Sequence, residues 1–376
     1  YYSAKAYKAE EPQKALTQFR AIIDTASDAE WRLKALKQSM KLYNQLGAHD
    51  QLLQTYREFL DVSKQVNRNQ AEQSLNKIIA FYGRNPSQEF LTKFYDLTLA
   101  SLLENGTITN ERLWTKINLG NAQLLTDAGD FNAATKLLDL VTAVLAASTL
   151  SSSSTYPLEV IAGKIQIHSA ASNFGELRKL HKQASKLSYS ALTLSNPLIM
   201  ATLSECAGKT LSLYKKYDKA AEHFFTAFKN YDEIGHAQRG AVLRYLIITT
   251  LLSPKGLEIN PFQSNEVRPF AVLSQFRAWA ELAACYQACD AQRFNAVFPE
   301  LERSADPFML LILPELAEKI RELVVINLLS VFETCKLAYL AGHLAISLSQ
   351  IESIVVRLIN NGKLLGVKLD LVQGIV

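Results

Sequence analysis

The chain has 376 residues, of which 48% are hydrophobic and 20% charged, with a net charge of +4. That composition excludes a disordered polymer and falls well short of the strongly basic balance typical of a nucleic-acid binder. The length suffices for two or three domains, and no apolar run reaches the ~20 residues of a membrane-spanning helix.

The opening "YYSAKAYKAEEPQKAL" lacks the form of a signal peptide, and its abrupt start suggests missing upstream residues. From there helical periodicity dominates, and the apolar stripes repeat. Pro12, Ala15, Leu16, Phe19, Ile22 and Ile23 form the first stripe. His49, Leu52, Leu53, Tyr56, Phe59 and Leu60 form the second. Later stripes begin at Phe90, Phe131, Phe174 and Tyr217, roughly 40 residues apart, the length of one helix pair in a tetratricopeptide-like solenoid. Small residues such as Ala15, Ala134 and Ala220 let neighbouring helices approach, and aromatics a turn later fill the space between pairs. The breakers "LGAHD", "DAGD" and "ASNFG" separate helices, and the serine run at 148–157 predicts an exposed loop.

The pattern changes at "SPKGLEINPFQSNEVRPF", where three prolines interrupt the array. Helices resume over 271–303, and a long helix is expected over 309–333 with Pro314 near its start. The last fifty residues predict helix–turn–helix plus wing. Ser349 and Glu352 form an expected capping box, and Ile351, Ile354, Val355, Leu358 and Ile359 an inward stripe. Gly362 is expected to stop that helix in a left-handed conformation, and Gly366 to make the next turn. Val367, Leu369 and Leu371 then alternate with Lys368 and Asp370 as a half-buried strand. The outward positions Ser353 and Val356 suit protein contact better than base reading, so a winged-helix nucleic-acid binder is the weaker reading.

Four cysteines are present: Cys206, Cys285, Cys289 and Cys335. None forms a CxxC pair, which suggests a reducing compartment. The Cys285/Cys289 spacing predicts two thiols on one helix face. The six histidines form neither HxH nor HExxH, and no phosphate-binding loop or nucleophile elbow occurs. No metal or required cofactor, and no enzyme activity, is expected. Asn105-Gly106-Thr107 is a glycosylation sequon that a cytosolic chain would not use.

A helical array running into a winged helix, closed by Leu348, Ser349, Glu352, Ile359, Gly362, Leu364, Gly366 and Asp370, resembles the PCI family. Its members scaffold the proteasome lid, the COP9 signalosome and a translation initiation factor. "NPLIM", "ECAGK" and "FFTAFKNYDE" resemble the signalosome and proteasome-lid branches, and "YYSAKA" favours the signalosome. The resemblance implies an α-solenoid over 1–265 and a PCI domain over 266–376, helical to 325 and a winged helix from 326. It implies a non-catalytic scaffold of the signalosome, in cytoplasm and nucleus, alongside other PCI subunits. That complex removes a ubiquitin-like modifier from cullin-RING ligases through a separate metalloprotease subunit. A proteasome-lid scaffold is the alternative.

"WRLKALKQSMK" carries Arg32, Lys34, Lys37 and Lys41 without an acid. Lys34, Lys37 and Lys41 share one helix face, which spacing alone also reads as a solvated surface. The resemblance implies that this region lies near the cullin–RING contact. Inositol hexakisphosphate is the implied bridging ligand, with Lys34 a principal contact. Arg357, Lys363 and Lys368, the cations of the last helix and wing, are the candidates for subunit assembly.

Overall fold

The computed structural model describes all residues except Ala9, 84–86, 105–106, 148–155, 189–195, Leu365 and 371–372. The serine run and the sequon therefore lie outside the described residues, apart from their flanks. Among the described residues there are eighteen α-helices and one hairpin of two-residue strands. No single helix is long and apolar enough to cross a membrane.

The chain divides into two compact units, Tyr1–Gly163 and Lys164–Val376. The first holds α1 (Tyr2–Ala6), α2 (Pro12–Thr25), α3 (Ala29–Gln45), α4 (His49–Ser63), α5 (Arg68–Tyr82) and α6 (Gln88–Leu102). The hairpin β1 (Leu103–Glu104) and β2 (Thr107–Ile108) follows, then α7 (Glu111–Asp127) and α8 (Phe131–Ala147). The helix α9 (Tyr156–Ala170) spans the boundary. The second unit continues with α10 (Phe174–Ser188), α11 (Pro197–Leu213), α12 (Tyr217–Glu233) and α13 (Arg239–Leu252).

The predicted stripes are the inner faces of α2, α4, α6, α8, α10 and α12. Ala15, Phe19, Leu52, Tyr56, Phe94, Leu138, Ala220, Phe224 and Phe228 are wholly buried, whereas the leading residues Pro12, His49, Phe131, Phe174 and Tyr217 are only half-buried. Burying an aromatic or leucine side chain stabilises by ~1.5–3 kcal/mol, so each stripe outweighs the weak intrinsic helicity of its segment.

One turn recurs between the two helices of a pair. The second residue after the first helix is left-handed at Gly47, Gly129, Ser172 and Lys215, and the next helix starts two residues on. At Gly47 the following amide, Ala48 N–H, donates back to Tyr43 O at 2.9 Å; at Lys215 the bond from Lys216 N–H to Leu211 O is 3.0 Å. These bonds satisfy carbonyls that a helix end leaves open. The same turn joins α14 (Arg277–Gln287) to α15 (Ala291–Arg303), with Cys289 left-handed. Cys289 is thus a turn residue outside the helix, and the expected pair of thiols on one helix face does not form. Both thiols are free.

The proline-rich stretch folds into three short 3-10 turns, Pro261–Gln263, Arg268–Val272 and Ser274–Phe276. After α15, Asp306 caps α16 (Pro307–Val331) by accepting from Met309 N–H at 2.8 Å. A single core runs from Ala201 in α11 to Val376, so the last repeat helices and the C-terminal elements are packed as one body. Beside it the half-buried Lys319 of α16 donates to the carbonyls of Leu251, Leu252 and Ser253 at 3.2, 2.8 and 2.8 Å, capping the end of α13.

The C-terminal module comprises α17 (Leu337–Leu344) and α18 (Leu348–Asn360), set at 107°. Residues 335–337 pair with 374–376, through Cys335 N–H to Val376 O and Val376 N–H to Cys335 O, both 2.9 Å. Asp370 bridges Ile375 in turn, which forms the wing. Val367 and Leu369 are half-buried and Lys368 and Asp370 exposed, the predicted alternation; Leu371 lies outside the described residues. Gly362 and Gly366 are both left-handed. The capping box is shifted from the expected pair. It is built by Ser347 and Gln350, whose Oε1 accepts from Ser347 N–H at 3.1 Å. Ala345 is left-handed and its turn closes through Ile346 N–H to Ala341 O, so Ser347 is the first extended residue able to cap.

Candidate interaction surfaces

Asp28 starts α3 by accepting from Glu30 N–H at 2.9 Å. Leu33, Ala35, Leu36, Met40 and Leu42 are then buried, so α3 is an inner helix with a narrow wet edge. Lys34 and Lys41 lie on that edge, exposed, while Arg32 and Lys37 are partly covered. Lys34 Nζ sits 4.5 Å from the centroid of the Trp31 ring and 3.8 Å from the Glu30 carboxylate. Glu30 lies one residue ahead of the run read as purely basic. An exposed i,i+4 pair of this kind contributes only ~0.3–0.5 kcal/mol and leaves the ammonium available.

Lys37 turns inward and donates to Ser74 Oγ on α5. Burial, then the charges of Lys77, Lys34 and Lys41, hold its pKa below the ordinary lysine value. Lys8 is lowered likewise by burial and then by Lys41 and Lys5, and it donates to Gln38 Oε1 at 3.2 Å. Part of that lowering comes from neighbouring cations crowding Lys37 and Lys8, and an anion placed among them would relieve the repulsion. Lys5 and Lys8 also line a cleft of about 500 Å³ with Pro12, Leu42, Gln45 and Leu46. The structure thus brings Lys34, Lys37 and Lys41 together and adds Lys5, Lys8 and Lys77. Lys5 and Lys8 were legible as an i,i+3 pair, but Lys77 lies on the next helix pair and only packing brings it near. Arg32 points elsewhere: Nη1 is 3.5 Å from Gln65 Oε1, and its buried Nε has no partner.

The "ECAGK" block of α11 has a different character. Glu205 and Lys209 are both buried and form an ion pair at 2.7 Å. Tyr231 donates to Glu205 at 2.9 Å and Lys209 to Ser169 Oγ at 2.7 Å. The Lys209 ammonium also lies over the rings of Tyr245 and Phe308, at 5.2 and 5.8 Å. Tyr245 donates in turn to Asp306, the cap of α16. A Cβ on Gly208 would come within 2.7–2.8 Å of the Phe224 ring, so glycine lets α11 and α12 close. This block ties the array to the C-terminal elements.

In the C-terminal module Arg357 pairs with Glu318 and Glu322, both at 3.1 Å, and Lys363 pairs with Glu322 at 2.7 Å. Two of the three assembly candidates therefore fasten α18 and the turn after it to α16, whereas Lys368 is exposed. Ser353 and Val356 face outward as expected.

Residues 287–376 match the PCI domain family. A COP9 signalosome complex subunit 2 of Neurospora crassa is 33% identical over 97% of this chain and 75% of its own length. The subunits of the same name from Drosophila melanogaster and Schizosaccharomyces pombe are 31% and 30% identical over 95% and 99% of this chain. They do not favour the proteasome-lid alternative.

Proposed function

The chain belongs to the COP9 signalosome subunit 2 family, and we propose that it is a non-catalytic scaffold of that complex which recruits cullin-RING ligases for removal of their ubiquitin-like modifier. The observation that carries this reading is the extent of the likeness: it covers 97% of the chain, the helical array included, and not the PCI domain alone. The bond cleavage belongs to a metalloprotease subunit elsewhere in the complex. The winged-helix module joins other PCI subunits. The cullin–RING partner meets the α3 edge, where Lys34 and Lys41 project into solvent and Lys37, Lys5 and Lys8 raise the local positive potential. Several cations converging from three helices suit a multiply charged anion, which supports inositol hexakisphosphate as a bridging ligand. The working compartments are cytoplasm and nucleus.

Affinity purification of the full chain, with mass spectrometry of what it retains, tests the assignment. Signalosome subunits and cullins are expected; recovery of proteasome lid and base instead would overturn it. Lys34→Glu is expected to weaken cullin-ligase capture about tenfold at low salt without altering the thermal melt.

A further inference from the structure

The second compact unit carries a cationic surface of its own. α10 exposes Arg178, Lys182 and Lys186 at steps of four residues, a spacing of ~6 Å along the helix. The turn between α11 and α12 adds Lys215 and Lys216, and the first turn of α12 adds Lys219, all exposed. Residues 174–188 and 214–219 hold seven Lys and Arg against two acids, Glu176 and Asp218, a larger excess than the +4 of the whole chain.

Two contacts join α10 to α11 and to the turn that follows it. The Arg178 guanidinium lies over the Tyr214 ring at 5.0 Å, and Tyr214 is the residue that ends α11. The Cys206 thiol of α11 donates to Leu177 O of α10 at 3.5 Å, which packs these two helices together. The turn itself is fixed by Lys215, left-handed at φ 58°, with Lys215 N–H donating to Ser212 O at 2.9 Å. Two nearby acids are engaged, Glu176 with Lys179 at 2.7 Å and Glu315 with Lys215 at 3.2 Å and with the Tyr217 hydroxyl, while Asp218 stands exposed among the lysines. Arg178, Lys182, Lys186, Lys216 and Lys219 are left as the outward charges.

We propose that this surface docks an extended acidic segment of a partner protein. Alternate side chains of an extended peptide are spaced ~6.6 Å apart, close to the ~6 Å between successive α10 cations. Arg178 stacks its face on Tyr214 and keeps its N–H edge for a carboxylate, the geometry for a two-pronged bond. Nucleic acid fits less well. It would want a bare ring to stack a base on, and the exposed ring here is covered by Arg178. The inference does not depend on the assignment above, since these residues lie in the other compact unit from the α3 edge.

The test uses the full chain and a fluorescent peptide of alternating Glu and Ser, about a dozen residues long. Anisotropy is read at about 50 mM and about 200 mM salt. The triple variant Arg178→Glu, Lys182→Glu, Lys219→Glu is expected to lose about tenfold or more in affinity, and Lys116→Glu with Lys136→Glu, exposed lysines of α7 and α8, to lose little. The milder triple change to Gln, with an unchanged circular dichroism melt, is expected to lose part of the binding in a folded chain. No binding by the parent chain, an equal loss with the Lys116/Lys136 variant, or tighter binding of a single-stranded RNA of equal charge through the same residues would each overturn the proposal.

Discussion

The Glu205–Lys209 pair offers a sharp test of how the array is locked. Lys209→Met removes the ammonium while roughly keeping its length. It deletes the 2.7 Å ion pair, the 2.7 Å bond to Ser169 and the placement over Tyr245 and Phe308. The Glu205 carboxylate then stays buried with Tyr231 as its donor. Removing one partner of a buried pair costs ~3–5 kcal/mol, because the orphaned charge has neither water nor its counter-ion. Glu205→Leu alone should cost about as much. The double variant Glu205→Leu, Lys209→Met leaves no buried charge, and Tyr231 keeps a weaker contact to Thr202 at 3.4 Å. It should fall within ~1–2 kcal/mol of the parent, giving a coupling of several kcal/mol. Two compact units make one global transition unsafe, so the assay is urea titration followed by hydrogen exchange in α11 and α12. Additive single costs, or a Lys209→Met loss under ~1 kcal/mol, would show that the pair is not the lock described here.

Gly208→Ala should destabilise α11–α12 packing by ~1–3 kcal/mol, read as a lower urea midpoint, because the added methyl meets the Phe224 ring at 2.7–2.8 Å. His181 and His223 are both held below their ordinary value of 6.5 by burial, so the unfolded chain takes up protons first as pH falls through 6.5. Stability should therefore rise with pH across that window. The acid loss should shrink in His181→Gln, His223→Gln, and urea midpoints at about pH 5 and 7 check it. Glu322→Gln removes the carboxylate shared by Arg357 and Lys363 and should loosen α18 on α16 by ~1–2 kcal/mol, seen as faster amide exchange in α18.

The array was legible because its stripes are local: six predicted starts fall on, or within two residues of, the starts of six helices. The left-handed turn was visible at Gly47 and Gly129 but disguised at Ser172, Lys215 and Cys289, where side chains accept a conformation that glycine would announce. Two S-x-x-E/Q patterns overlap at 347–352, and only the end of the preceding turn at Ala345 decides between them. The wing was half read. Its alternating residues are local, whereas their partners, Cys335–Leu337 and the last three residues, are nearly forty positions apart. Nothing local marks Glu205 and Lys209 as a buried pair, because their burial depends on helices distant in the chain.

The same dependence changes how the C-terminal cations must be tested. Arg357 and Lys363 already neutralise Glu318 and Glu322 within the chain, so their net charge offered to a neighbour is close to nil. The module also presents apolar side chains outward, with Phe332, Tyr339 and Val356 45%, 51% and 40% exposed. A loss of assembly in Arg357→Glu would first report α18 detaching from α16, with two acids left facing a third. Only Lys368→Glu, which breaks no ion pair among those described, separates contact with another subunit from repair of the module's own joint.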